Sequence, residues 1–379
     1  MSHMTVLFWI AALIVGYVYV GYPGLLAVWA RITNRRPRAQ AFADGCWPAI
    51  SIVVAARNEA ARLPARVADL LAQDYPGRRE ILIVSDGSTD APAEALAPLL
   101  DASVRLLDVP AGGKPLALNA GVGAAAGEIL VFADARQRFA PGALRALVRN
   151  FSDPDVGGVT GELVLDCEQQ SGSDSAVGEG IGLYWRYEKW LRRNESRVWS
   201  TLGATGAIYA LRRRCWTPLP EATLLDDVLV PMRAVLNGCR VVFDESAVAF
   251  DRASADAAAE SRRKTRTLAG NYQILAQEPR LLVPLVNPVW VQYMSHKIGR
   301  LIVPWALVAL LVASAALAAS HPFYAAALAA QAVFYGFAAV AAVFPVRERF
   351  ARIAFTFVMM NVSAVAGLLA LRRGREVWR

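Results

Sequence analysis

Residues 127–139, GEILVFADARQRF, decide how this chain is read. A short apolar run, Ile129 to Phe132, carries one acid, Asp134, to its end, where the pattern breaks into polar loop. A run of that length, preceded by a glycine and followed by charge, predicts a buried strand of a parallel sheet. In open α/β sheets ligands bind beyond the carboxyl ends of the strands. Asp134 is therefore expected where a ligand sits.

Working outward, the same grammar recurs. Ala49 to Ala55 predicts a strand closing on Ala56-Arg57-Asn58-Glu59, followed by a helix over 60–71. Glu80 to Ser85 predicts a strand ending in Asp86-Gly87-Ser88-Thr89-Asp90, with a helix over 91–100. Val104 to Leu107 is a short strand, and a small-residue helix over 114–126 leads into the opening stretch. Strand and helix alternating four times is the pattern of a parallel sheet with right-handed crossovers. Beyond it, strands are expected over 156–165 and 240–243, and helices over 226–236 and 257–276.

Composition adds a second compartment. The chain has 379 residues, of which 55% are hydrophobic, and its mean hydropathy is +0.34. That is high for a soluble protein, and the excess lies at the ends. Thr5 to Ala30 carries no charge and, at about 1.5 Å per residue, outreaches a hydrocarbon core of roughly 30 Å. Leu301 to Ala319 and Phe323 to Phe344 are two clear spans, and Ile353 to Leu371 is a weaker third. Met1-Ser2-His3 reads as a cloning scar. Arg31, Arg35, Arg36 and Arg38 follow the first span, which places the central domain in the cytoplasm. Three C-terminal crossings would leave Arg372-Arg373-Gly374-Arg375 on the wrong side, unless the last segment lies in the interface. The net charge of +8 sits mostly beside apolar segments and suits an anionic leaflet rather than nucleic acid. The four cysteines (Cys46, Cys167, Cys215, Cys239) lack CxxC spacing, so neither zinc nor a disulfide framework is signalled.

Asn58-Glu59, Asp86 and Asp134 place acids at three strand ends. Singly each is a turn or a cap; together they suit a nucleotide-sized ligand, or a divalent cation held through oxygen. No GxxxxGK[ST] or GxGxxG is present. Lys114 opens a helix after Gly112-Gly113, where the dipole disfavours a cation and an anionic partner would explain it. Asp226-Asp227 begins another helix. Capping accounts for one acid, while mutual repulsion raises a pKa towards that of a general base. Arg262, Arg263, Lys264 and Arg266 make either a solvated face or a diphosphate contact at Arg266. Histidine catalysis is not expected, the three histidines lying in the scar and in the C-terminal region.

In order along the chain, VVAARNEA, IVSDGSTD, GGKPLALNAG, VFADA, GATGAIYALRR, LDDV and RRKTR resemble the motifs of membrane-embedded family 2 glycosyltransferases. That GT-A group includes cellulose, chitin and hyaluronan synthases and ceramide glucosyltransferase. The resemblance implies an α/β fold: a GT-A, Rossmann-like mixed sheet in a cytoplasmic domain with flanking transmembrane helices. The expected layout is a first span over 1–30, a basic linker over 31–47 and the transferase domain over 48–280. An interfacial helix over 281–300, membrane helices over 301–371 and a basic tail over 372–379 follow. The resemblance further implies that Ala56, Glu59 and Asp86 frame base and ribose, with Lys114 on the nucleotide. Asp134 would meet the diphosphate and a Mg or Mn ion. Gly203, Ala204, Thr205 and Gly206 would shape the acceptor mouth. Asp227 would match the general base of the ED motif, with Asp226 in place of its Glu, and Arg266 the arginine of QxxRW.

Two departures stand out. The DxD motif reads Asp134-Ala135-Arg136, so its second carboxylate is a cation: either the metal is lost, or a ligand comes from elsewhere, and Arg136 can itself offset diphosphate charge. QxxRW loses both Gln and Trp, which weakens the case for a long polymer. The resulting expectation is an inverting, inner-membrane transferase using a nucleotide sugar, UDP-linked, and a lipid or glycan acceptor of the cell envelope. A processive polysaccharide synthase and a non-catalytic nucleotide-sugar-binding scaffold are the alternatives.

Overall fold

The computed structural model describes residues 2–39, 42–43, 45–165, 176–251, 257–344 and 348–373. Cys167 and the tail beyond Arg373 lie outside the described residues. In chain order the elements begin with helix α1 (His3–Thr33), which contains a π-helical turn at Tyr17–Gly21. Then come β1 (Ile50–Ala56), α2 (Leu63–Leu71), β2 (Arg79–Asp86), α3 (Pro92–Leu96), β3 (Val104–Val109) and α4 (Lys114–Ala124). β4 (Ile129–Ala133), β5 (Arg138–Phe139), α5 (Ala143–Arg149), β6 (Val156–Leu165) and α6 (Ala176–Val198) follow. The rest are β7 (Ile208–Arg212), α7 (Asp226–Leu236), β8 (Arg240–Asp251), α8 (Ala257–Gln277), α9 (Trp290–Leu317), α10 (Pro322–Val343) and α11 (Arg349–Arg372).

The eight strands form one sheet in the order β3-β2-β1-β4-β7-β6-β8-β5. β3, β2, β1 and β4 are parallel, as the alternating pattern predicts. β7 then enters antiparallel beside β4, and the sheet becomes mixed. Strand alternation sends successive side chains to opposite faces. In β4, Ile129, Val131 and Ala133 pack with α2 and α5, while Leu130 and Phe132 pack with α4, α7 and α8. β2 does the same, with Ile81 and Ile83 on one face and Leu82 and Val84 on the other. Continuing that two-residue count past Phe132 and Val84 gives Asp134 and Asp86. Both acids therefore fall on the α4/α7 side.

Among the described residues, four helices are long and apolar enough to cross a membrane: α1, α9, α10 and α11. Residues 281–300 are not a helix of their own. A short 3-10 turn ends at Leu282, and one helix then runs unbroken from Trp290 into the first C-terminal span. The apolar seam that buries Val289, Tyr293 and Ile298 with Leu301 carries the packed face across the expected boundary. α11 rests part of its length on the domain. A Cβ on Gly367 would lie 2.7 Å from the Ala269 backbone nitrogen and 3.0 Å from the Thr265 carbonyl oxygen of α8. Only a glycine permits that approach.

Candidate active site

Three strand-end loops are stitched to one another. The Asn58 amide donates to Ser88 Oγ (3.1 Å), the Thr89 amide to Asn58 Oδ1 (2.9 Å) and the Ala60 amide to Asp90 Oδ2 (2.7 Å). Asp86, 4% exposed, accepts the Gly112 amide at 2.7 Å and the Gly113 amide at 3.0 Å. Its carboxylate thereby shapes the turn in which Gly113 takes φ +87° and delivers Lys114 as the first residue of α4.

Lys114 is the hub. Its Nζ lies 3.0 Å from Asp134 Oδ1 and 3.3 Å from Asp226 Oδ2. Burial opposes the ammonium charge, but the Asp134, Asp226 and Asp227 carboxylates outweigh it and hold the lysine protonated, above its ordinary range. The acidic pair opens α7 without capping it. Leu225 is the N-cap, with no side-chain cap bond, and both acids lie in the first turn. The Gly206 amide, 3.3 Å from Asp227 Oδ2, donates to that carboxylate, and a Cβ there would also stand 3.3 Å from the same oxygen. Burial first, then the Asp226 charge, pushes Asp227 up from the usual carboxylate value to about 6, against the pull of Lys114. A carboxylate so placed is ionised near neutral pH yet basic enough to take a proton.

These groups line a cavity of about 340 Å3. Of the residues singled out from the sequence, Lys114, Asp134, Arg136, Ala204, Thr205, Gly206, Asp226, Asp227 and Arg266 line it. Ala56, Glu59, Asp86 and Gly203 do not. Ala56 is buried in β1, Glu59 pairs with Arg62, and Asp86 acts on the cavity through the turn before Lys114. Gly203 backs onto α7, where its added Cβ would meet Val228 at 3.2 Å. Arg136 lies 3.3 Å from Asp251 at the end of β8, and Arg266 reaches the Leu224 carbonyl at 3.5 Å.

Sequence reasoning missed several walls. Arg192 donates to Thr205 Oγ1 at 2.5 Å, and Glu188, His296, Lys297 and Arg300 line the cavity. His296, set aside for its position near the C-terminal spans, stands beside the acids. Its Nδ1 lies 2.6 Å from Glu195 and its Nε2 3.4 Å from Glu188, so both ring nitrogens face carboxylates. These residues are distant in sequence from the strand-end motifs, and only the packing of α6 on α9 joins them. Beneath the acids, Phe132 stacks on Tyr209 (4.5 Å between centroids) and on Trp216 (5.3 Å).

The donor set offers a divalent cation the Asp134 carboxylate but not the second acid of the DxD motif. Such ions take oxygen ligands, commonly carboxylates and phosphates. Here the second DxD position is Arg136, and the Lys114 ammonium stands against Asp134. Among the described residues, no group of three His, Cys, Asp or Glu could hold a metal. Likewise Cys46, Cys215 and Cys239 are free thiols.

Comparison with known proteins follows the same lines. Residues 51–214 match the family described as Glycosyl transferase family 2. An N-acetylglucosaminyltransferase of Rhizobium leguminosarum bv. trifolii is 29% identical over 130 residues, covering 33% of this chain and 71% of that one. A beta-monoglucosyldiacylglycerol synthase of Synechocystis sp. is 35% identical over 117 residues, covering 29% of this chain and 24% of that one. Apart from the first, this chain spans less than half the length of the curated relatives it matches. Among solved structures, a mannosyltransferase from Pyrobaculum calidifontis, in complex with GDP-Man and Mn2+, superposes with a TM-score of 0.73 at 24% identity. That match covers 98% of this chain and all of the other, and it shows that the fold is GT-A, transmembrane-type helices included.

Proposed function

We propose that this chain, whose residues 51–214 are a glycosyl transferase family 2 domain on a GT-A fold, transfers a sugar with inversion from a nucleotide diphosphate, taken as UDP, to a membrane-associated lipid or glycan acceptor. The observation that carries this reading is the Asp227 carboxylate. It is half-buried beside the buried Asp226, oriented by the Gly206 amide and poised at about 6. In the proposed reaction an acceptor hydroxyl oxygen attacks C1 of the donor sugar and its proton passes to Asp227. The C1–O bond to the diphosphate breaks, with its electron pair leaving on the phosphate oxygen.

The leaving diphosphate needs positive charge held in place before it departs. Lys114, already fixed beside Asp134, supplies it, with Arg136 and Arg266 on the same cavity. Glu59 and Asp86 bound the neighbouring strand ends where base and ribose would lie. The relatives' names support sugar transfer, the long apolar helices support a membrane seat, and Arg31, Arg35, Arg36 and Arg38 after the first of them support the cytoplasmic side.

Asp227→Asn tests this directly. Transfer should fall by about a thousandfold, the scale of a lost general base, while UDP affinity changes by no more than a few-fold. The folded protein holds the Asp227 proton up to about pH 6, whereas an ordinary aspartate releases it near 3.8. Across that window the wild type therefore loses stability as pH rises. The Asn variant should consequently be at least as thermostable as wild type at pH 8, which separates lost chemistry from lost folding. Near-normal transfer in it would reject the reading. Sizing the product would distinguish single transfers from a processive synthase, which would give a ladder or high polymer.

A further inference from the structure

A second cavity, of about 300 Å3, adjoins the first: Tyr184, Leu268, Arg300 and Met360 line both. Its other walls include Tyr19 from α1, Tyr187 from α6, and Ile353, Thr356 and Phe357 from α11. α1, α9 and α11, three of the helices long and apolar enough for a membrane, thus contribute to it. Polarity drops sharply between the two. The first cavity is lined with Lys, Arg, Asp and Glu, whereas Arg300 is the one charged residue among the described walls of the second. The Arg300 guanidinium is itself engaged by Glu188 and by the Tyr184 hydroxyl. A ligand filling both cavities must have a polar head and an apolar continuation, and the apolar end opens among helices suited to lipid.

The acids select the head. A lipid phosphate reaches the site already anionic and needs no proton acceptor, so the Asp227 base would have no part in its transfer. A hydroxyl is neutral and does need a base, which Asp227 provides. We propose that the acceptor is a neutral lipid with a free hydroxyl on its head and an acyl tail. Its hydroxyl sits at Asp227, and the first stretch of its chain lies in the cavity between α1, α6 and α11. This rests on the transferase reading above. In the step, the lipid oxygen bonds to C1 as the C1–diphosphate bond breaks, and the hydroxyl proton ends on Asp227. A volume near 300 Å3 is at the small end for ligand pockets, so it holds the head-proximal part of the tail, leaving the remainder in the bilayer.

The test uses the full chain in dioleoylphosphatidylcholine vesicles with a panel of UDP-sugars. Three acceptors are offered: dioleoylglycerol, a polyprenyl phosphate and a soluble oligosaccharide. Dioleoylglycerol is expected to be glycosylated in preference to the other two. Thr356→Trp and Ile353→Trp, which enlarge two walls of the second cavity, should raise the KM for dioleoylglycerol about tenfold more than the KM for the donor, the scale of a misfitted apolar pocket. A preference for polyprenyl phosphate or oligosaccharide, or equal KM changes for both substrates in both variants, overturns the proposal. A photoactivatable diacylglycerol, cross-linked without donor, should label α11 in wild type and label it less in Thr356→Trp; labelling confined to other helices also overturns it. If no UDP-sugar is hydrolysed or transferred although the diacylglycerol labels α11, the transferase reading fails while the lipid site stands.

Discussion

The two sides of the cavity are built differently. On the side of β1, β2 and β4 the walls are Lys114, Asp134, Arg136 and Gln137, and behind Lys114 stand strand-end loops whose hydrogen bonds join residues about thirty positions apart, as between Asn58 and Thr89 and between Ala60 and Asp90. On the other side the walls come from α6, α7, α8, α9 and α11, brought together from half the chain. Tyr184 and Arg300, 116 residues apart, meet there. The first side is set by loops tied to one another at neighbouring strand ends. The second exists only once the helices have packed on one another, and it should yield first when packing is disturbed.

Lys114 belongs to both sides, so among changes that probe this contrast its loss should be felt most. Lys114→Met removes the cation that Asp134, Asp226 and Asp227 share, and transfer should fall by about a hundredfold, the scale of one preorganised electrostatic contact. Because Lys114 pulls the Asp227 value down, its removal should also move the rising limb of the pH–rate profile, expected near pH 6 in wild type, to higher pH. An unmoved limb would show that the two groups are not coupled. Gly367→Leu disturbs the helical side alone. Its side chain would drive into the α8 backbone at Thr265 and Ala269, and overpacking of that kind costs about 1–3 kcal/mol. Acceptor transfer should drop about tenfold more than UDP binding weakens; equal losses would mean the two sides do not separate. The smallest effect is expected from chelation. With Lys114 and Arg136 in place of a carboxylate-held ion, EDTA should change the transfer rate by less than about twofold. A rate abolished by EDTA and restored by Mn2+ would overturn the assignment of charge compensation to these side chains.

Legibility in the sequence followed the same division. The four parallel strands were readable because each is an apolar run of strand length ending in polar residues, and two-residue alternation carries Asp86 and Asp134 to the α4/α7 face. Lys114 was readable as a cation at a helix start that wants an anion, although the anions proved to be the protein's own carboxylates. Asp226 and Asp227 could be placed at a helix start, but capping and basicity could not be told apart until Leu225 was seen to be the N-cap. The helical walls were not legible. Nothing local marks Glu188, Arg192, His296 or Arg300 as neighbours of Asp227, because their meeting depends on the docking of α6 against α9. The continuity of α9 from Trp290 was hidden for a related reason: its first two turns carry Tyr293, His296 and Lys297, which with Trp290 read as a headgroup-level composition but are turned towards the protein.

The first helix reaches into this arrangement. Tyr22, 1% exposed, donates its hydroxyl at 2.9 Å to Glu195, which also faces His296. Leu26 and Ala30 are buried against Leu191 and Val198 of α6. Trimming the N-terminus to obtain a water-soluble catalytic fragment would therefore remove part of the scaffold along with the anchor. Glu195 would lose the phenol that satisfies it, and α6 would expose the face on which its leucine and valine now close. Detergent or nanodisc preparations that keep the first thirty or so residues are the form in which this protein can be expected to retain its shape.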